Sequence, residues 1–221
     1  TPQGLRPDPR TIARRIGAAA RRGDQVAVHC VGFATLATVL DAFAALPAPW
    51  RRGRRHRLEH VAECPPPLVQ RIAALGLAVV TNPAFVYWRG DVYRQETHGP
   101  ARDWLYRART LHEAGVALAA ASDAPVVGPS PWVGMATART RRTRGGRLLG
   151  GGERLDAGAA LDLFTRGAAW SLHAEALGAL RPGALADLVV VEPDPLRASP
   201  GELAAAHVRL TMIAGTIVWG P

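Results

Sequence analysis

The chain contains no lysine. All 27 of its basic residues are arginine, set against 18 acidic ones, for a formal net charge of +9. Such uniform use of one base reads as a composition bias rather than as a surface shaped for phosphate. The densest clusters are Arg51, Arg52, Arg54, Arg55 and Arg57, then Arg139, Arg141, Arg142, Arg144 and Arg147. No stacking aromatics interleave them, so both are expected to be solvated faces, and specific nucleic-acid binding is set aside. Cysteine is almost absent as well. Cys30 and Cys64 alone exclude a disulfide framework and fit a reducing cytoplasm, each being expected as a small buried apolar residue. No apolar run reaches the roughly 18 residues of a transmembrane helix. The start, TPQGLRPDPR, lacks the apolar stretch of a signal peptide. It also lacks a methionine, so the chain is expected to begin downstream of a natural start.

What is present is the composition of a globular protein, 48% hydrophobic and 20% charged over 221 residues. Helix and strand signals alternate along it. Helical spacing covers 8–22 and 34–46, and a third helix opens at Pro65–Pro67 and stops at Gly76. Short apolar runs at 25–30, 56–61, 77–83 and 116–124 read as buried strands. The intervening 84–100 reads as a long loop, followed by a helix over 101–114. A second loop, rich in Gly and Arg, spans 127–154 and leads into a helix over 156–171. Alternation of this kind predicts parallel βαβ units. The tail differs. ADLVVVEPDP reads as one strand, and VRLTMIAGTIVWG as a hairpin turning at Ala214-Gly215. A boundary is therefore placed near 175, dividing a partial barrel (1–175) from a set of C-terminal sheet strands (176–221).

Three residues with ligand chemistry end apolar runs: His29 in QVAVHC, His60 in RHRLEH and Asp123 in VALAAASDA. In a (β/α) barrel the C-terminal strand ends meet at the face that carries the chemistry. Two imidazoles and a carboxylate meeting there could hold a divalent ion and activate water. His56-x-x-Glu59-His60 also matches a metalloprotease pattern, but that pattern needs a helix. On a strand, His56 and His60 would stand roughly 13 Å apart, too far to share an ion. Tyr87 and Trp88, in the loop after the third strand, are candidates for a substrate wall.

RHRLEH, then TNP, then ASDAPV, then LGALRPGALADLVVVEPDP together resemble the amidohydrolase superfamily, in its YtcJ-like branch related to the N-substituted formamide deformylases. The resemblance runs from about residue 24 to the C-terminus. It implies a (β/α)8 TIM-like barrel of a metal-dependent hydrolase beside a small β-sandwich, of which this chain would supply strands 5–8 and the C-terminal sandwich strands. It also implies His29 as the ligand on strand 5, His60 on strand 6, and Asp123 on strand 8 as both metal ligand and general base. The cofactor implied is a divalent metal, with zinc the default and Fe, Mn or Ni open. The substrate implied is a small molecule with an amide or formamide bond, hydrolysed by activated water.

The absences return at this point. The family pattern includes an HxH pair and a carboxylate on a middle strand, often a carboxylated lysine. This sequence has neither HxH nor lysine, and Phe33 stands where relatives often carry an aspartate after strand 5. The chain is therefore expected to be the C-terminal part of a longer cytoplasmic enzyme, with weak metal affinity and little turnover alone. The alternative is a non-catalytic module with a structural or binding role.

Overall fold

The computed structural model describes residues 8–220. Its first part is a run of βα units. Helix α1 (Pro9–Arg22) is capped by Asp8, whose carboxylate accepts from the Arg10 and Thr11 N–H groups, and it ends at Gly23 with φ 85°. Strand β1 (Ala27–Cys30) follows, then α2 (Phe33–Ala44), the short α3 (Ala48–Arg51), β2 (Arg57–His60), α4 (Pro66–Leu75) and β3 (Ala78–Thr81). The chain goes on through α5 (Ala84–Glu96), α6 (Ala108–Glu113) and β4 (Leu118–Ala120). The four strands pair in parallel in the order β1-β2-β3-β4. Each crossover carries helix onto one face of the sheet. On that face Val26, Cys30, Leu58 and Val79 pack with Leu36, Val39, Leu40, Phe43, Val69 and Ile72.

The rest supports this sheet and then leaves it. Helices α7 (Pro131–Thr140), α8 (Ala157–Phe164) and α9 (Arg166–Ser171) pack beside β4. Beyond them β5 (Leu188–Glu192), β6 (His207–Ile213) and β7 (Thr216–Trp219) form a separate antiparallel sheet, with α10 (Pro200–Ala204) between β5 and β6. The α/β class expected from the sequence holds. The hairpin turn also falls at Ala214-Gly215, where both residues have positive φ, as a type I′ turn requires.

Three local expectations need correction. The stretch 84–100 is not a loop: α5 fills most of it, and its aromatics sit at helical spacing on two flanks. The Gly/Arg-rich stretch 127–154 contains α7, whose Gly134 lies against the Phe164 ring. The two helices expected over 101–114 and 156–171 are each interrupted. The first begins as a 3-10 turn at Gly99–Trp104. The second breaks at Thr165 (φ −119°, ψ −90°), which lets Gly167 approach β4 so closely that a Cβ there would lie 2.1 Å from the Leu118 carbonyl oxygen.

One arginine was misread for a simple reason. Arg141 lies in a cluster expected to be solvated, yet it is only 2% exposed. Its guanidinium donates to the carbonyls of Leu105, Tyr106, Leu149 and Gly150. Burial lowers its pKa to about 10, which leaves it charged at neutral pH. Composition alone does not distinguish a buried arginine satisfied by main-chain carbonyls from an exposed one.

His56 is a core residue. Its Nδ1 accepts from the Val26 N–H at 3.0 Å, and its Nε2 faces the Trp50 carbonyl at 2.9 Å. That pairing requires the neutral ring protonated at Nε2, and burial pulls its pKa down in the same direction. Both cysteines are buried thiols, pushed up to about 12 chiefly by desolvation. No helix among the described residues is long and apolar enough to cross a membrane.

Candidate functional site

The strand ends converge as the βα alternation requires. The register pairs His29 with Glu59 and Cys30 with His60, so both histidines reach the C-terminal edge of neighbouring strands. Their rings meet edge to face with centroids 4.5 Å apart. Burial, then the charge of His60, holds the His29 pKa below its usual value, while Asp123 and Glu59 act in the opposite direction. The Asp123 carboxylate therefore acts on the same imidazole.

His60 is oriented by a residue that the sequence reading did not single out. Its Nδ1 lies 2.8 Å from Asn82 Oδ1, and Asn82 Nδ2 donates to the Ala121 carbonyl at 2.9 Å. The second bond fixes which way the amide points, so its oxygen faces His60. Nδ1 is then the donor, so in the neutral ring Nε2 is the nitrogen that carries the lone pair. An outer partner of this type is what a metal-binding imidazole commonly has. Asn82 lies within the TNP segment, which was the one sequence signal pointing to it. Asn82 is 2% exposed and joins the end of β3 to the loop that carries Asp123.

The backbone at this rim is unusual. His60 (φ 72°), Val61 (φ 48°), Tyr106 (φ 48°) and Asp123 (φ 60°) are all left-handed without being glycine. Such conformations persist where their surroundings hold them, and they gather at functional sites. Tyr106 also escaped the sequence reading. Its ring stacks on Phe85 (centroids 5.9 Å, 2° between planes), and Phe85 meets the His60 ring edge-on at 6.4 Å. Tyr93 completes the wall, with its hydroxyl 3.3 Å from that of Tyr106. Burial, then Tyr93 and Asp123, push the Tyr106 phenol up.

Tyr87 and Trp88 lie on the flank of α5 toward the loop at 141–150. Their rings are perpendicular at 5.0 Å, the Tyr87 carbonyl accepts from the Arg144 N–H, and the Arg144 guanidinium lies over Trp88. Asp91, on the same helix, accepts from Thr143 Oγ1 at 2.6 Å and the Gly145 N–H at 2.9 Å, so it fastens that loop.

The donor chemistry fits a divalent ion in part. Two imidazoles are adjacent, and one has its free nitrogen defined by Asn82. Among the described residues no group of three His, Cys, Asp or Glu side chains is gathered tightly enough to hold an ion. His29, His60 and Asp123 are thus an open set rather than a closed cage.

A model of the amidohydrolase family (Amidohydro_3) matches residues 1–219. The chain belongs to the amidohydrolase family. It is 30% identical over 220 residues to YtcJ of Bacillus subtilis (strain 168), assigned by name as an amidohydrolase, covering 96% of this chain and 40% of that protein. It is 32% identical over 203 residues to the N-substituted formamide deformylase of Arthrobacter pascens, covering 90% of this chain and 37% of that one. Both agree with the branch expected from the motifs. Among solved structures, an uncharacterized metal-dependent hydrolase from Pyrococcus horikoshii OT3 superposes with a TM-score of 0.76 at 26% identity, covering 88% of this chain and 39% of that one. This amidohydrolase chain spans well under half the length of the relatives it matches.

Proposed function

We propose that the protein is a metal-dependent hydrolase of amide-type C–N bonds, and that this chain supplies one side of its active site. The observation that carries the reading is the pairing of His29 and His60 at adjacent strand ends, with Asn82 leaving the His60 Nε2 free. In this reading His29, His60 and Asp123 hold a divalent ion, zinc by default for such donors, and donors from outside the described residues complete its shell. When bound, such an ion contributes Lewis acidity that polarises a carbonyl and acidifies water.

The chain's own groups account for the proton. Asp123, exposed at the rim, accepts a proton from water as the water oxygen bonds to the substrate's carbonyl carbon. As the C–N bond breaks, the same carboxyl returns that proton to the departing nitrogen. The Phe85–Tyr106–Tyr93 wall keeps the His60 side of the site dry, which strengthens charge interactions there. Trp88, with 38% of its surface exposed, is assigned to the outer wall together with Tyr87. The antiparallel strands beyond residue 175 are read as one part of a sandwich.

The test is a hydrolysis assay on the full-length natural polypeptide with an N-substituted formamide, releasing formate. Turnover should disappear on dialysis against a chelator and return with added zinc. Hydrolysis that is indifferent to chelation, or no hydrolysis after reloading with Zn, Mn, Fe or Ni, would contradict the proposal.

A further inference from the structure

Strand β2 ends in a kink. His60 is its last residue paired across to β1, opposite Cys30. His60 (φ 72°) and Val61 (φ 48°) are both left-handed, and the Val61 N–H donates to the Glu59 carbonyl at 3.0 Å. Two such residues in a row, one of them β-branched, persist only where their surroundings hold them. The His60 ring that meets His29, with centroids 4.5 Å apart, sits at the start of this kink.

Toward the segment at 104–107 the kink is tied by main-chain bonds. The Tyr106 N–H donates to the Ala62 carbonyl at 2.9 Å, and the Cys64 N–H to the Trp104 carbonyl at 3.0 Å. Toward the loop after β1, among the described residues, both ties come from Glu63. Its N–H donates to the Val31 carbonyl at 3.0 Å, and its carboxylate Oε2 accepts from the Phe33 N–H at 3.2 Å. That N–H opens α2, whose N-cap Gly32 has no side chain and whose first turn has no acidic residue. A carboxylate from another element therefore caps the helix, at the end where its dipole favours negative charge. Glu63 is half-buried, and among the described residues no cation pairs with it. The residue three after His60 is thus fastened twice to the loop that follows His29.

We infer that Glu63 is a positioning residue: by tying the kink after His60 to the loop after His29, it keeps the two imidazoles together at one spacing. The consequence for metal binding rests on reading the two histidines as ligands. An outer residue that orients ligands commonly changes metal affinity by about 10- to 100-fold. The charge of Glu63 is not what the role needs; an oxygen that accepts from the Phe33 N–H is.

Histidine-labelled NMR on the metal-free, full-length polypeptide tests the positioning without turnover. The wild-type protein should show a nuclear Overhauser cross-peak between ring protons of His29 and His60. Glu63→Ala should weaken or abolish it, and Glu63→Gln, whose amide oxygen still accepts, should retain it. Phe33→Pro approaches the same bond from the other side. It deletes the N–H at the first helical position, where proline is well accommodated, after a Gly32 already extended (φ −82°, ψ 148°). It should weaken the cross-peak as Glu63→Ala does. Cobalt titration should give a Kd about 10- to 100-fold weaker for Glu63→Ala and near the wild-type value for Glu63→Gln. Asp8→Ala, which removes the cap of α1 instead, should change neither reading. No cross-peak in the wild type, full intensity in Glu63→Ala or Phe33→Pro, equal loss in Glu63→Gln, or equal loss in Asp8→Ala would overturn the assignment. If the cross-peak behaves as expected but cobalt binding is indifferent to His60→Ala, the metal reading fails while the positioning role stands.

Discussion

Asp123→Asn is expected to lower kcat of the full-length enzyme by about 10²- to 10⁴-fold, the range for loss of a positioned proton acceptor. The substitution is conservative in the respects that matter for the fold. Asp123 has φ 60°, and asparagine is among the residues that tolerate that conformation best. The turn around it is held by main-chain contacts, with the Val126 N–H donating to the Asp123 carbonyl at 2.9 Å. Because the side chain is exposed, its replacement removes an acid–base group and a ligand oxygen with little change in packing. Thermal unfolding of the metal-free protein should therefore be unchanged while turnover collapses. Wild-type turnover in the variant would mean that another group moves the proton.

The second large effect concerns stability. Arg141→Met should destabilise the fold by several kcal/mol, or prevent soluble expression. The substitution keeps much of the aliphatic bulk and deletes the guanidinium, leaving the carbonyls of Leu105 and Leu149 without a donor, while those of Tyr106 and Gly150 keep one N–H each, from Ala108 and Glu153. Each buried carbonyl left unpaired costs about 1–3 kcal/mol, against a total stability of about 5–15 kcal/mol for a typical domain. Arg141→Lys should fare little better, because an ammonium cannot span four acceptors in a plane. The contrast is with exposed ion pairs such as Arg22–Asp24, where the side chains are 65% and 49% exposed and loss should cost about 1 kcal/mol or less. Urea midpoints of the three variants, Arg22→Gln included, separate these effects. Equal midpoints would show that the Arg141 clamp adds nothing. Loss of the clamp also removes one of the two donors on the Tyr106 carbonyl beside the site.

Strands and ligand candidates were legible because a buried parallel strand is written as a continuous apolar run, and the residue that ends it is easy to see. His29, His60 and Asp123 were found that way. Helix α5 was not, since Tyr87, Trp88, Arg89 and Asp91 break any simple apolar stripe and each flank packs on a different partner. Asn82 and Tyr106 were missed because their importance is not local. Asn82 reaches back to His60 and forward to Ala121, and Tyr106 is placed by Phe85, Tyr93 and Arg141. Such relations exist only once the chain has folded.

The central claim is that His29, His60 and Asp123 hold the ion at which the chemistry occurs. Anomalous diffraction at the zinc edge, on crystals of the zinc-loaded full-length polypeptide, tests it most directly. The account predicts a peak about 2.0–2.2 Å from one nitrogen of each histidine, Nε2 in His60, and from an oxygen of Asp123. A peak elsewhere, or one that keeps its full height in a His29→Ala, His60→Ala double variant, would contradict it.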